Sequence, residues 1–207
     1  MTALASVTSN PSHNLELLTP QQAAPHPFTW TVERYHDAIA KGLLTENDRV
    51  ELLFGLLNEK MPVGKRHRDC VDKINVYFIL KFQTRYQYGV QNPLTISGYS
   101  EPEPDFLVFN PESYQQREGQ PIPEDVHLLI EVSDATLPYD RSTKAKLYAL
   151  AGIQEYWIVD LRSNQIELHL EPNVEAGEYN NLRRYGADAT FESPFCGQVK
   201  VEDLLPT

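Results

Sequence analysis

Between Lys65 and Gly89 the apolar positions recur with a helical period. His67, Cys70, Val71, Ile74 and Phe78 fall at i, i+3, i+4, i+7 and i+11, one face of an α-helix, and Gly89 reads as its stop. An earlier stretch, "TVERYHDAIAKG", sets Val32, Tyr35, Ile39 and Ala40 at helical spacing, with Gly42 to end it. Between the two, "RVELLFGLLNEKM" predicts two short strands about a turn near Gly55.

Further along, "VQNPLTI" and "DFLVFN" read as strands, and the polar, proline-bearing span 111–125 reads as a loop. "VHLLIEV" is apolar on both alternating faces, the mark of a central strand covered on both sides. Asp140 predicts the cap of a helix that runs to Ala151 and stops at Gly152. On that helix Lys144, Leu147, Tyr148 and Ala151 share the apolar face, whereas Lys146 points to solvent. "EYWIVD" and "QIELHL" predict strands about a turn at Arg162-Ser163-Asn164. The fold class is α/β in the broad sense, an α+β mixed sheet with helices packed on it. Residues 1–27, rich in Ser, Thr, Pro and Gln, predict a flexible N-terminal arm ahead of a single domain over 28–207.

Composition narrows the function classes. Hydrophobic residues make up 41% of the 207, a globular composition with enough material for a full core. No apolar run approaches the ~20 residues of a membrane helix, and the N-terminus lacks the basic start and apolar block of a secretory signal. Two cysteines, Cys70 and Cys196, form no ligand pattern, so a reducing cytoplasm is expected. A net charge of −11 argues against nucleic acid, yet the charge is unevenly spread. Residues 65–88 carry six cations against two acids, while residues 167–207 carry eight acids against three cations.

Glu131 stands on the core strand directly before Val132, where an ionised carboxylate is costly unless paired or metal-bound. If "DFLVF" and "VHLLIEV" pair antiparallel, Asp105 at the start of one meets Glu131 near the end of the other. Two close carboxylates call for a shared proton or a cation, and Mg²⁺ suits such a pair completed by waters. Lys144 lies in the first turn of the following helix, where it can orient water or steady a phosphate. Glu51 is a third acid, and His67 faces inward at the start of the long helix. The same residues also have a purely structural reading, with Glu131 and Lys144 as an ion pair and His67 as a satisfied core histidine.

The strings "ELLFG", "EPDFLVF" and "LLIEVSDATLPYDRSTKAKLYALAGIQEYWIVDL" resemble the Uma-two family, a branch of the PD-(D/E)XK nuclease superfamily. The resemblance spans residues 28–170 and is most specific over 128–161. It implies a restriction-endonuclease-like core, a central mixed sheet flanked by helices. It implies a Mg²⁺-dependent endonuclease that hydrolyses phosphodiester bonds in DNA, with Mn²⁺ able to substitute. Asp105, Glu131 and the carbonyl of Val132 would hold the metal, with Glu51 as the family's early glutamate and His67 a further candidate. The superfamily's usual lysine position is Ser133 here, and Lys144 matches the lysine that the family carries on the next helix. A homodimer is expected, because two sites related by a twofold axis cut both strands of a duplex. The alternatives are a nucleic-acid-binding or regulatory module of the same fold without turnover, and a non-nuclease whose charges pair structurally.

Overall fold

In the computed structural model, residues 28–206 are described except positions 46 and 117. The expected N-terminal arm lies outside the described residues. The chain opens with helix α1 (Val32–Ala40), capped by the Thr31 hydroxyl, which accepts from Arg34 N. Its buried side chains are Tyr35 and Ala38. Ile39, expected on the inner face, is 46% exposed. The hairpin β1 (Val50–Leu53) and β2 (Leu56–Glu59) follows as expected. Gly55 turns it at φ +76°, and a Cβ there would lie 3.1 Å from Thr29, so only glycine fits without strain.

Helix α2 (Lys65–Phe82) buries His67, Cys70, Val71, Ile74 and Phe78, the face that the periodicity predicts. It stops earlier than expected. Gln83 takes a positive φ of 52° and Phe82 packs against Tyr86 and Phe195, which turns the chain before Gly89. Gly89 instead lies inside strand β3 (Gln87–Val90). Of "VQNPLTI" only Val90 belongs to a strand, and Pro93, which has no N–H to give a ladder, sits in the irregular stretch after it. Strand β4 (Phe106–Phe109) leads to a short helix α3 (Pro111–Gln115) in the span read as loop. Asn110 caps it, and Pro111 occupies the first turn, where no N–H is needed.

Strand β5 (Val126–Ser133) is buried along almost all its length. After it come a three-residue helix α4 (Leu137–Tyr139), a π turn (Asp140–Lys144) and helix α5 (Ala145–Leu150). Asp140 is therefore inside the helical run and does not cap it. Its carboxylate accepts from the Ser133 hydroxyl at 2.7 Å. Gly152, at φ +74°, ends the run as expected. Strands β6 (Glu155–Asp160), β7 (Gln165–Asn173) and β8 (Glu178–Gly186) complete the main sheet.

That sheet runs β3-β4-β5-β6-β7-β8. Only β5 and β6 are parallel, joined by the crossover through α4 and α5, and every other pair is antiparallel. One face packs Phe106, Val108, Ile130, Val132, Trp157 and Val159 under α2. The other packs Leu107, Leu129, Tyr156 and Ile158 under α5, with Leu147 and Tyr148. A last hairpin, β9 (Thr190–Ser193) and β10 (Gly197–Lys200), closes the α2 side. Its Phe191 and Val199 sink into the chain's own core. Buried Glu155 ties it down by accepting from the Trp157 indole, the Ser193 hydroxyl and Phe195 N. No described helix is long and apolar enough to cross a membrane.

Candidate active site

The site forms where β5 ends and the helical run begins. The β4–β5 register places Phe106 across from Ile130, so Asp105 arrives beside the end of β5. Asp105 Oδ2 accepts from Val132 N at 2.9 Å and from His67 Nε2 at 3.0 Å, and Oδ1 accepts from Gln91 Nε2 at 3.2 Å. Burial pushes its carboxyl up, but the His67 and Val132 bonds outweigh that and hold it below the ordinary value. His67 reaches it from the first turn of α2, on the opposite face of the sheet from α5. The other ring nitrogen, Nδ1, is buried and has no hydrogen-bond partner among the described residues.

Glu131 points to the α5 face. Both of its hydrogen bonds fall on Oε1, from Lys144 Nζ at 2.9 Å and from the Tyr148 hydroxyl at 2.7 Å. Lys144 Nζ also lies 3.4 Å from Glu51 Oε2, which accepts from Glu103 N. Glu51 is delivered by β1, held against the main body where Glu101 N donates to Leu52 O at 2.7 Å. Lys144 is 7% exposed, and Lys146, two residues on, is exposed, the separation that the sequence spacing predicts.

The electrostatics of this cluster are lopsided. Glu51, Asp105, Glu131 and Asp140 are all buried, and Lys144 is the buried ammonium among them. Burial drives the Glu131 carboxyl well above its ordinary value, and Lys144 offsets this only in part because Asp105, Asp140 and Glu51 push it further up. Burial works against charge on Lys144, but Glu131 and Glu51 hold its ammonium well above the ordinary range. The Tyr139 hydroxyl is buried and makes no hydrogen bond among the described residues, and burial together with Glu51 raises its pKa. An acid surplus and an unpartnered hydroxyl around one lysine suit a cationic guest.

The donor set tests that idea. Two carboxylates and a backbone carbonyl are hard oxygen ligands, the kind that Mg²⁺ and Mn²⁺ take together with waters. No cluster of three or more acidic, His or Cys side chains with metal-ligand proximity occurs among the described residues, so waters or substrate oxygens would complete the sphere. Glu131 Oε2 accepts no hydrogen bond among the described residues. The residues fit a dication on these terms, and its charge would offset the surplus that raises Glu131.

The side chains expected from the sequence form two groups about the end of β5, Asp105 with His67 and Glu131 with Lys144 and Glu51. Tyr148, Tyr139, Asp140 and Gln91 were not foreseen as members. Tyr148 could have been, since it lies four residues after Lys144 on the same face.

The fold is a restriction-endonuclease-like core, and the acids around Lys144 gather at the end of its central strand β5. The chain belongs to the Uma2 family, described as "Putative restriction endonuclease", whose model matches residues 32–198. Among solved structures it is similar to a putative nuclease from Anabaena variabilis, at 22% identity and a TM-score of 0.57, over 84% of this chain and 96% of the other. No curated protein matches it.

Proposed function

We propose that this nuclease is a metal-dependent endonuclease that hydrolyses phosphodiester bonds in DNA. The observation that carries the reading is Lys144, a buried ammonium between Glu131 and Glu51 at the end of the strand beside Asp105. Asp105, Glu131 and the carbonyl of Val132 would hold Mg²⁺, for which Mn²⁺ can substitute. When bound, the ion supplies Lewis acidity toward the phosphate and lowers the pKa of water. Lys144 donates N–H bonds that orient the attacking water and offset negative charge growing on the phosphate oxygens. Glu51 positions that ammonium from the far side. His67 fixes the Asp105 carboxylate through Nε2.

The reading places the protein in the cytoplasm, where its buried Cys70 and Cys196 stay unpaired. It also includes a homodimer. The last hairpin buries its Phe191 and Val199 in the chain's own core and offers no apolar face to a partner there. The exposed apolar residues Val76, Ile79 and Leu80 on α2 are the better candidates. Light scattering during size-exclusion chromatography checks this, and a mass of 23.7 kDa would remove the dimer.

The test of the activity is cleavage of plasmid and oligonucleotides with Mg²⁺ or Mn²⁺, wild type against Lys144→Ala. Cleavage by wild type alone supports the reading, and equal products from both proteins overturn it. A binding module without turnover is the second reading. It is favoured by Asp105, whose carboxylate already accepts three N–H bonds from the protein. It predicts salt-sensitive oligonucleotide binding with no metal-dependent product.

A further inference from the structure

The row of the sheet that carries Glu131 continues across three more strands. Glu131 faces Ile158 on β6, Ile158 faces Glu167 on β7, and Glu167 faces Arg184 on β8. Residues directly opposite share a face, so all four side chains stand on the α5 side. At the usual strand spacing, Glu167 is about 10 Å from Glu131 and Arg184 about 14 Å.

Glu167 is fully buried, and its carboxylate holds two guanidinium groups at once. Arg141 donates from Nε at 3.0 Å and from Nη2 at 2.6 Å, and Arg184 donates from Nε at 2.6 Å. Arg141 is also 3.5 Å from Asp160, which is buried and occupied by the N–H groups of Arg162 and Ser163 and the Gln165 amide. The acids therefore lie beneath, and the cations lie on top. The Arg184 side chain is 52% exposed and that of Arg141 37%. Arg184 Nη1 and Nη2 and Arg141 Nη1 make no hydrogen bond among the described residues. On the far side Arg66 donates to Leu161 O and Asn164 in the turn that carries exposed Arg162, itself paired with Asp134.

We propose that Arg141 and Arg184, held by Glu167, form a clamp for a backbone phosphate of the nucleic acid, beside the phosphate that meets Lys144. The inference rests on the nuclease reading for the identity of its ligand. A guanidinium fixed by its inner edge presents the outer edge already oriented, and this planar fork matches phosphate oxygens. Arg141 comes from the same π turn as Lys144, three residues before it, so the clamp and the lysine stand on one element. Contacts of this kind position a strand without reading its sequence. They also give a protein of net charge −11 a local foothold on a polyanion.

The experiment compares Arg184→Gln with Arg183→Gln. Arg183 is the exposed neighbour on β8, whose Nε donates to Asn181. Both variants remove one charge, and Arg184→Gln leaves Glu167 still paired with Arg141. Melting curves establish that each folds. Binding of a labelled DNA duplex is followed by anisotropy in EDTA against salt, and cleavage kinetics are measured with Mn²⁺. For Arg184→Gln, affinity falls roughly tenfold. The slope of log affinity on log salt shrinks by about one. KM rises while kcat holds, and Arg183→Gln does none of this. Equal losses in both variants, or none in either, overturn the clamp while a cleaving wild type leaves the nuclease reading intact. Arg184-dependent binding without cleavage sustains the clamp and sinks the catalytic reading. A wild type that neither binds nor cleaves overturns both.

Discussion

Lys144 donates to Glu131 at 2.9 Å, deep in the protein, from thirteen residues further along the chain. An ion pair in this position is easy to break and hard to replace. Lys144→Ala leaves Glu131 and Glu51 buried beside each other with no ammonium between them, a loss of about 3–5 kcal/mol. Lys144→Met combined with Glu131→Gln removes both charges and recovers most of that stability without activity. Denaturant unfolding of the two variants, beside cleavage assays, separates the fold from the chemistry.

Asp105→Asn tests the metal. The amide keeps its oxygen on both Val132 N and His67 but turns its N–H toward the Gln91 amide donor, a cost of about 1–3 kcal/mol. The fold survives that loss, and Mn²⁺ binding measured by calorimetry disappears. Undiminished heat from the variant would show that the acids only pair with each other and with Lys144.

Tyr139→Phe should do little to stability, or raise it by about 1 kcal/mol, because among the described residues the buried hydroxyl has no partner to lose. If that hydroxyl faces substrate or its water, turnover drops roughly tenfold or more. Melting temperature and kcat measured on one preparation decide the matter. A hydroxyl that only fills space leaves kcat unchanged.

Glu167 makes stability depend on acid. Burial pushes its carboxyl up, but His169, Arg141 and Arg184 together hold it well below its ordinary value of 4.5. A depressed carboxylate contributes stability that is fully present above its unfolded value and is lost as pH falls through the folded one. The loss therefore begins below pH 4.5 and deepens with further acid. Glu167→Gln, weaker at neutral pH, shows a shallower decline in melting temperature down to about pH 2. Parallel curves for the two proteins would remove this assignment.

Much of this arrangement can be read in the chain before folding. The α2 face from His67 to Phe78, the hairpin at Gly55, the doubly covered β5 and the inward Lys144 all follow from period and punctuation. They depend on burial, which repeats regularly in sequence. Asp105 arrives beside the end of β5 because an antiparallel pair brings a start beside an end. What stayed hidden depends on contacts without a period. Phe82 turns the chain away from Gly89 because Tyr86 and Phe195 receive it, and Phe195 lies in a hairpin more than a hundred residues later. The Glu167 clamp needs the registers of three strand pairs at once. The π turn was hidden too, since "DRSTK" reads equally well as the opening of an ordinary helix.

That turn also governs which changes of length the protein can survive. Each residue of an α-helix advances the chain by about 100° around its axis, and a π turn holds one residue more than the α turn it replaces. A single-codon deletion between Asp140 and Lys144 would therefore close the π turn to an ordinary α turn and leave both flanks in register, with Leu147 and Tyr148 still seated on the sheet. What changes is the turn itself, which carries Asp140 to Ser133, Arg141 to Glu167 and Lys144 to Glu131. In a deletion scan this stretch should keep the fold and lose the site, whereas the exposed tip at Glu118–Gly119 should lose a residue without consequence for either.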